Sequence, residues 1–354
     1  MKIRIKDIAK KAGVSTGTVD RVLHNRGNVS EKARKAVEKI LNEESYKPNL
    51  HISGMSLKRK YTIIVTTPDS KKGEYWDSIQ KGIDQLLEDY DNIKVDLIRL
   101  PYDQYDIFSC QRIFKQVGAM DADGVIIGTT FTKETIALTE ELDKKSIPYI
   151  FVDSMVENTK CLAYFTANHY ICGYLMCKLL TQVIEKGTDI GILQAERIGS
   201  ESANTTILRK HGLYDYLEEN NLTNKVKHIP FSATDNQRND LMLSKFFYEH
   251  KNIGGVVVLN SRGNIVADYF KKNNINNIRL VCIDITDANA QSLREGKIDF
   301  LLCQEPEQQG VLAMKTLIEY LVYHQPVKME NYLPLNILTR ETIDYCRLFN
   351  RIEK

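Results

Sequence analysis

The chain has 354 residues, too many for one small core, and this length predicts two or three domains. Its 43% apolar residues are typical of a globular protein, and no apolar run approaches the roughly 18 residues of a membrane span. The net charge of +2 conceals an asymmetry, since residues 1–60 carry 15 Lys or Arg against 6 Asp or Glu, and the remainder carries 33 against 40. A basic segment before an acidic body indicates a polyanionic partner, although a solvated lysine-rich surface explains the charge about equally well.

Seven cysteines are scattered along the chain, mostly inside apolar runs. None forms a C-x-x-C pair or a Cys/His cluster with zinc spacing, so we expect reduced buried thiols, no metal and no cofactor. The basic N-terminus leads into an amphipathic helix and lacks the apolar core of a secretory signal. The sequence therefore predicts a cytoplasmic protein with no membrane segment.

The first 44 residues predict three short helices joined by tight turns. Gly13 stands where the end of the first helix favours a positive φ, and Ser15 and Ser30 stand where helix N-caps belong. Apolar residues recur at helical spacing: Ile5, Ile8, Ala9 and Ala12, then Val19, Val22 and Leu23, then Ala33, Val37, Ile40 and Leu41. This arrangement is typical of a helix-turn-helix, whose second helix enters the DNA major groove.

Residues 50–60 predict a linker, because Pro48 breaks the helical pattern just before them. From residue 61 onward the pattern alternates between strands and helices. The predicted strands are 61–67, 93–100, 124–128, 148–152, 189–194, 226–231, 254–259, 279–283 and 299–303. The predicted helices are 75–90, 107–117, 133–145 and 307–323, with four more centred near Cys177, Tyr214, Phe246 and Ala267. Repeated βαβ units indicate two doubly wound parallel α/β lobes. We expect lobe 1 over about 61–165 and 291–323, and lobe 2 over about 166–290 and 324–354.

The N-terminal segment contains a specific pattern: Asp7-Ile8-Ala9, Ala12-Gly13-Val14-Ser15, Thr18-Val19, Arg21, Val29-Ser30, Arg34 and Tyr46-x-Pro48-Asn49. This pattern resembles the headpiece of the lactose-repressor (LacI/GalR) family. The body resembles that family's effector domain, which is similar to periplasmic sugar-binding proteins. The resemblance implies a helix-turn-helix headpiece, residues 1–49, on a two-lobed periplasmic-binding-protein-like domain, residues 61–354. It also implies a homodimeric repressor whose affinity for operator DNA is changed by a small effector, a sugar or polyol.

The resemblance further implies which residues contact DNA. Base contacts fall on Thr16, Gly17, Asp20 and Arg21, and phosphate contacts on Thr18, Asn25, Ser30 and Arg34. Arg21 is the main candidate for reading a base, since arginine donates two hydrogen bonds to guanine. Residues 50–60 match a hinge helix that enters the minor groove, with Met55 and Ile52 as its apolar residues. Gly54 disfavours such a helix, which leaves a plain flexible linker open.

Ligands of two-lobed α/β folds bind at the carboxyl ends of the strands, between the lobes. This rule and the resemblance select eight effector-binding candidates: Asp69, Tyr75, Trp76, Asp153, Asn168, Asn260, Asp284 and Gln304. Trp76 fits stacking on a sugar and a core position equally well, and the polar candidates fit helix caps as an alternative.

The position of the family's sugar-binding arginine, counted back from Gly212, falls on Ile207. Arg209 falls on a different helical face in this alignment. The substitution argues against a strongly anionic effector, although Arg262 could supply charge.

Two other functions fit this sequence less well. A Rossmann-like enzyme would need a phosphate-binding glycine loop or a nucleophile–base motif, and none follows a predicted strand. A solute-binding transport protein would need a secretory signal in place of the basic headpiece. The sequence therefore predicts a regulator that is not an enzyme.

Overall fold

The structure, a computed structural model, describes residues 5–23, 29–43, 59–90, 93–198, 203–232 and 235–346. Three residues predicted to contact DNA, Asn25, Ile52 and Met55, lie outside this part of the chain. Asp20 lies in a described helix, but its side chain is outside the description. The contacts expected of these four residues remain predictions.

The headpiece contains the three predicted helices. They are α1 (Ile5–Ala12), α2 (Thr16–Leu23) and α3 (Glu31–Glu43). Gly13 ends α1 with a φ of 64°, and the Ser15 hydroxyl accepts a hydrogen bond of 3.1 Å from the Thr18 amide. The Ser30 hydroxyl caps α3 in the same way, accepting from the Ala33 amide at 3.3 Å. The buried side chains are Ile8, Ala9, Val19, Val22 and Val37, so the predicted apolar faces form the core of this small module.

The body contains twelve strands and nine helices among its described residues. The strands are β1 (Lys60–Thr66), β2 (Lys94–Arg99), β3 (Gly124–Gly128), β4 (Tyr149–Asp153), β5 (Ala163–Thr166), β6 (Asp189–Ala195), β7 (Val226–Phe231), β8 (Ile253–Val258), β9 (Arg279–Ile283), β10 (Phe300–Cys303), β11 (Glu330–Tyr332) and β12 (Asn336–Leu338). The helices are α4 (Tyr75–Asp89), α5 (Ile107–Ala119), α6 (Thr132–Lys144), α7 (His169–Val183), α8 (Asn204–Glu219), α9 (Asn236–Glu249), α10 (Gly263–Lys272), α11 (Asp287–Arg294) and α12 (Pro306–Tyr323).

These strands form two six-stranded sheets, one in each lobe. The order in lobe 1 is β11-β5-β4-β3-β1-β2, and the order in lobe 2 is β12-β10-β9-β8-β6-β7. The two orders are equivalent, so each lobe repeats one doubly wound pattern, and β12 is antiparallel to its neighbour β10. Central strands such as β3 and β4 are buried on both faces, which explains why they are continuous apolar runs in the sequence.

The predicted boundaries between the lobes near residues 291 and 324 are wrong. Strand β10 pairs with β9 in lobe 2, whereas β11 pairs with β5 in lobe 1. The chain therefore crosses between lobes after β5, after β10 and after β11. Hydrophobic periodicity predicts a strand but does not determine which sheet the strand joins. Here the hydrogen-bonded neighbours of β10 and β11 assign each strand to its lobe.

All seven cysteines lie in the described part of the chain, and none is in a disulfide. Six of them are buried and Cys346 is half-buried, as expected from their apolar surroundings. Among the described helices, none combines the length and apolar character needed to cross a membrane. The same residues contain no group of three or more His, Cys, Asp or Glu side chains placed to hold a metal ion.

Candidate functional site

A cavity lies between the two lobes of the body, at the carboxyl ends of their strands. Lobe 1 contributes Tyr75, Trp76, Gln104, Tyr105, Thr130 and Asp153, and lobe 2 contributes Gln194, Arg197, Thr205, Arg209, Asn260, Asp284 and Gln304. We call this space the inner cavity. Its lining combines aromatic rings with carboxylates, amides, hydroxyls and guanidinium groups, which are the groups that bind polyhydroxylated molecules.

Asp153 and Asp284 occupy equivalent positions in the two lobes. Asp153 ends β4 and Asp284 directly follows β9, each at the fourth strand of its lobe. Both adopt left-handed backbone conformations, with φ of 76° and 73°, which aspartate tolerates better than most residues do. Only 7% of Asp153 and 4% of Asp284 are exposed. The duplicated lobes thus present two buried carboxyl groups to one cavity.

Each buried carboxyl group has one oxygen bound by a neighbour. The Tyr75 hydroxyl donates to Asp153 Oδ1 at 2.9 Å, and Gln304 Nε2 donates to Asp284 Oδ1 at 2.8 Å. Burial raises the pKa of Asp153 to about 6 and that of Asp284 to about 7, although Arg209 lowers both. Each carboxyl group can therefore accept a hydrogen bond from a ligand hydroxyl when it is ionised and can also donate one when it is protonated.

Arg209 connects these groups at the back of the cavity. Its Nη1 donates to the Leu259 carbonyl at 2.7 Å, and its Nη2 donates to Gln304 Oε1 at 3.1 Å. Nη2 also lies 2.9 Å from His169 Nδ1. Burial and the Arg209 charge lower the pKa of His169 to about 3, so its ring is neutral and Nδ1 accepts from the guanidinium. The ring then donates from Nε2 to the Asp153 carbonyl at 2.6 Å.

The prediction that Ile207 stands in place of the family's sugar-binding arginine led to a wrong conclusion, namely that the cavity lacks a buried arginine. Arg209 is 3% exposed and lines the cavity, whereas Ile207 is 42% exposed and does not. The two residues do lie on different faces of α8, but the face that lines the cavity is that of Arg209 and not that of Ile207. A buried arginine is present in the inner cavity, and the argument against an anionic effector no longer holds.

Six of the eight effector candidates line the inner cavity: Tyr75, Trp76, Asp153, Asn260, Asp284 and Gln304. Trp76 occupies the expected core position, since it is 5% exposed and packs so tightly on Gly128 that a Cβ there would lie 2.8 Å from Cζ3. It also lines the cavity, and its stacking on a sugar remains a prediction. The other two candidates lie elsewhere. Asp69 is exposed and lines a separate outer pocket, and Asn168 caps α7 by accepting from the Ile171 amide at 3.0 Å.

Sequence reasoning missed Gln309 and Arg197. Gln309 is fully buried in α12; its Oε1 accepts from the Asp153 amide at 2.9 Å, and its Nε2 donates to the Gln304 carbonyl at 3.0 Å. It therefore holds the backbone on both sides of the cavity. Gln309 follows Glu307 and Gln308 in the polar first turn of the helix, so the local pattern gave no signal that it is buried. Arg197 follows β6 in an irregular segment with no periodic pattern.

Several direct contacts join the lobes around the cavity. Arg262 Nη1 of lobe 2 lies 2.8 Å from Glu74 Oε1 of lobe 1, with both side chains largely buried. Asn204 Nδ2 donates to the Ser154 hydroxyl at 2.8 Å. Backbone pairing adds a third contact, from the Ile198 amide to the Tyr105 carbonyl at 2.8 Å. The structure therefore shows the lobes closed on each other.

The second headpiece helix presents an exposed polar surface. Thr16, Gly17 and Arg21 are exposed on α2, as a base-reading face requires. Thr18 is half-buried, and its hydroxyl lies 2.9 Å from the Ser15 hydroxyl. Arg34 is half-buried on α3, 4.0 Å from Glu38. Their contacts with DNA remain predictions.

Comparison with known proteins identifies both parts of the chain. Residues 63–325 match the family described as "Periplasmic binding protein domain", and residues 4–49 match "Bacterial regulatory proteins, lacI family". A crystal structure assigned to a LacI transcriptional regulator from Bacteroides fragilis matches with a TM-score of 0.77 and 30% identity, covering 81% of this chain and 99% of that one. The chain belongs to the lacI family of bacterial regulatory proteins.

Curated lacI-type relatives agree with this assignment over part of their length. The HTH-type transcriptional regulator DegA of Bacillus subtilis is 31% identical over a match that covers 43% of this chain and 44% of the length of DegA. The sucrose operon repressor of Staphylococcus xylosus is 28% identical over a match that covers 64% of this chain and 66% of the length of that repressor. The chain thus spans about half to two thirds of the length of these relatives. Both are transcriptional regulators and not enzymes.

Proposed function

We propose that this lacI-family protein is a transcriptional repressor whose affinity for operator DNA is controlled by a sugar bound in the inner cavity. The observation that carries the proposal is the pair of equivalent buried carboxyl groups, Asp153 and Asp284, converging with Arg209 between two lobes. The exposed face of α2, with Arg21, supplies the DNA-binding half of the function. The relative named as a sucrose operon repressor supports the same combination.

The two lobes give a physical basis for control by the effector. A sugar that contacts both aspartates binds the closed arrangement of the lobes more tightly than an open one. This difference in affinity sets how far the sugar shifts the lobes toward the closed arrangement. We propose that a cytoplasmic homodimer transmits this difference to the two headpieces, and that residues 50–60 fold in the minor groove with Met55 as a wedge. Affinity for DNA and affinity for the sugar are then reciprocally coupled.

Binding of the purified chain to DNA upstream of its own gene tests the DNA-binding half. We expect specific binding that weakens steeply with salt, because lysines and arginines displace counterions from phosphates. Arg21→Ala should weaken specific binding by about tenfold or more, the cost of a lost bidentate contact to guanine. Arg112→Ala removes an exposed arginine from α5 of the body and should leave binding unchanged. Equal affinity of the wild type for upstream and unrelated DNA would reject the proposal.

A thermal-shift screen with neutral hexoses, pentoses and their acids tests the effector half. A ligand that binds the folded state alone raises the melting temperature by mass action. Asp153→Asn and Asp284→Asn should each reduce the shift, whereas Asp69→Asn, which changes the outer pocket, should not. If no sugar or sugar acid shifts the wild type, the sugar effector is wrong.

A further inference from the structure

Arg197 is a cation of the inner cavity that takes no part in the network around Arg209. It follows β6 in lobe 2, and its guanidinium carbon lies 5.2 Å from the ring centroid of Phe131 and 5.7 Å from that of Tyr105. Both rings belong to lobe 1. The Nη1 atom is buried and, among the described residues, has no hydrogen-bond partner. The group is therefore enclosed by aromatic rings from the opposite lobe.

No carboxylate of the described residues lies within 4.0 Å of a nitrogen of Arg197. Arg262 differs in this respect, because it pairs with Glu74 at 2.8 Å. Arg209 resembles Arg197, since it makes no such pair among the described residues and acts on Asp153 and Asp284 only at longer range. Burial lowers the pKa of Arg197, although the nearby Tyr105, Tyr102 and Asp103 raise it, so the desolvation is only partly offset. Cation–π contacts compensate part of that desolvation, and a counter-charge would compensate the rest.

Backbone pairing between the lobes holds the chain directly after Arg197 in place. The adjacent Ile198 donates from its amide to the Tyr105 carbonyl at 2.8 Å, and its carbonyl accepts from the Ile107 amide at 3.3 Å. The guanidinium is thus held in place in the closed cleft before a ligand binds. Preorganised charge of this kind binds an anion without the cost of ordering a long side chain.

We propose that the effector is a sugar acid and that Arg197 binds its carboxylate. The inference rests on the proposed function, and it adds the chemical class of the ligand and the residue that selects it. The hydroxyls of the sugar would be bound by Asp153, Asp284 and Asn260, which line the same cavity. A planar carboxylate matches the guanidinium fork. A monoanion is favoured over a phosphate, because the two buried carboxyl groups repel a second negative charge.

Isothermal titration of the full chain with matched sugars tests this proposal. The pairs are D-glucose with D-glucuronate and D-galactose with D-galacturonate, and D-gluconate and D-glucose 6-phosphate serve as further arms. We expect at least one acid to bind about tenfold or more tightly than its neutral partner, which corresponds to about 1.4 kcal/mol. Arg197→Gln should abolish that preference while leaving the affinity for the neutral sugar within about threefold of the wild type.

Two further variants make the result specific. Arg279→Gln removes an exposed arginine of lobe 2 at the amino end of β9, away from the cavity, and should keep the preference. Arg197→Lys keeps the charge without the planar fork and should retain part of the preference, which also guards against a folding defect in Arg197→Gln. Melting temperatures of all variants are measured alongside.

The possible outcomes distinguish failure of this inference from failure of the proposed sugar-responsive function. If neutral sugars bind as tightly as their acids, the sugar-acid class is wrong and the sugar-responsive regulator stands. If the preference survives in Arg197→Gln, or disappears equally in Arg279→Gln, Arg197 is not the selecting residue. Tighter binding of the phosphate would replace the carboxylate. If no sugar of either kind binds the wild type, the inference and the proposed effector fail together.

Discussion

Replacing Gly173 with alanine should separate two helices on which the effector site depends. Helices α7 and α8 pack so closely that a Cβ at Gly173 would lie 1.8 Å from the Arg209 carbonyl oxygen. The reciprocal contact is similar, with a Cβ at Gly212 lying 2.0 Å from the Tyr170 carbonyl oxygen. Ordinary contact begins at 3.4 Å, so the helices must move apart by more than 1 Å. A backbone oxygen has no rotamer that relieves this overlap.

The expected cost has two components. Overpacking of this kind lowers the free energy of unfolding by about 1–3 kcal/mol, and the rigid backbone places Gly173→Ala near the upper end. The second component is functional, because Arg209 moves with α8. Its hydrogen bonds to Leu259 and Gln304 are 2.7 and 3.1 Å long, and a shift of more than 1 Å breaks them. We expect effector binding to weaken by about a hundredfold, as misplacement of a binding group commonly does.

Thermal melting and calorimetric titration of the full chain measure these two effects. For a body of this size, a loss of about 3 kcal/mol lowers the melting temperature by roughly 5 °C or more. Gly118→Ala is the matched control, since its Cβ would lie 3.4 Å from Glu141 Cβ and alanine is the better helix former. If Gly173→Ala melts and binds like the wild type, or Gly118→Ala shows the same losses, the close-packing argument is wrong.

Three further predictions concern single residues. Burial raises the pKa of Asp284 to about 7, above its unfolded value, so ionisation of this group destabilises the fold as pH rises from about 4 to 7. The free energy of unfolding of Asp284→Asn relative to wild type should therefore rise by about 3 kcal/mol between pH 5 and pH 8. Urea unfolding at each pH measures this difference, and a difference that does not change with pH contradicts the prediction. Asn168→Ala should lower the free energy of unfolding by about 1 kcal/mol in thermal melts, because α7 loses its cap, and should leave effector affinity unchanged. A weaker effector affinity would show that Asn168 contacts the effector after all. Gly17→Ala should stabilise α2 by about 1 kcal/mol in urea unfolding followed by circular dichroism, because its Cβ would meet only Ser15 Oγ, at 3.8 Å; destabilisation would show that the space is filled.

Local sequence signals predicted the bounds of several strands correctly. Strands β3, β7 and β9 have the predicted bounds, and each is a short run bounded by turn residues. The same signals do not determine which sheet a strand joins, which is why β10 and β11 were assigned to the wrong lobes. That information lies in pairing between strands distant in the chain, and no local pattern contains it.

The candidate site was predictable to the extent that strands position it. The rule that ligands bind at strand ends identified Asp153, Asp284 and Asn260, because those residues lie at the end of a buried strand or within two positions of it. Arg209 was misplaced because positions two apart on a helix lie about 200° apart around its axis, so a short counting error reverses the face. Arg197 escaped notice because its position depends on pairing with the opposite lobe.

The hydrogen-bond network explains how a ligand in the cavity could act on the arrangement of the lobes. A continuous path runs from Asp284 through Gln304, Arg209 and His169 to the Asp153 carbonyl, and so from lobe 2 to lobe 1. Gln304 and His169 lie where the chain crosses between the lobes, directly after β10 and just beyond β5. The groups proposed to contact the effector are therefore bonded to the segments that connect the two lobes. A ligand that reorganises either aspartate changes the hydrogen bonds of a crossing segment, which couples binding to lobe closure without any intermediate element.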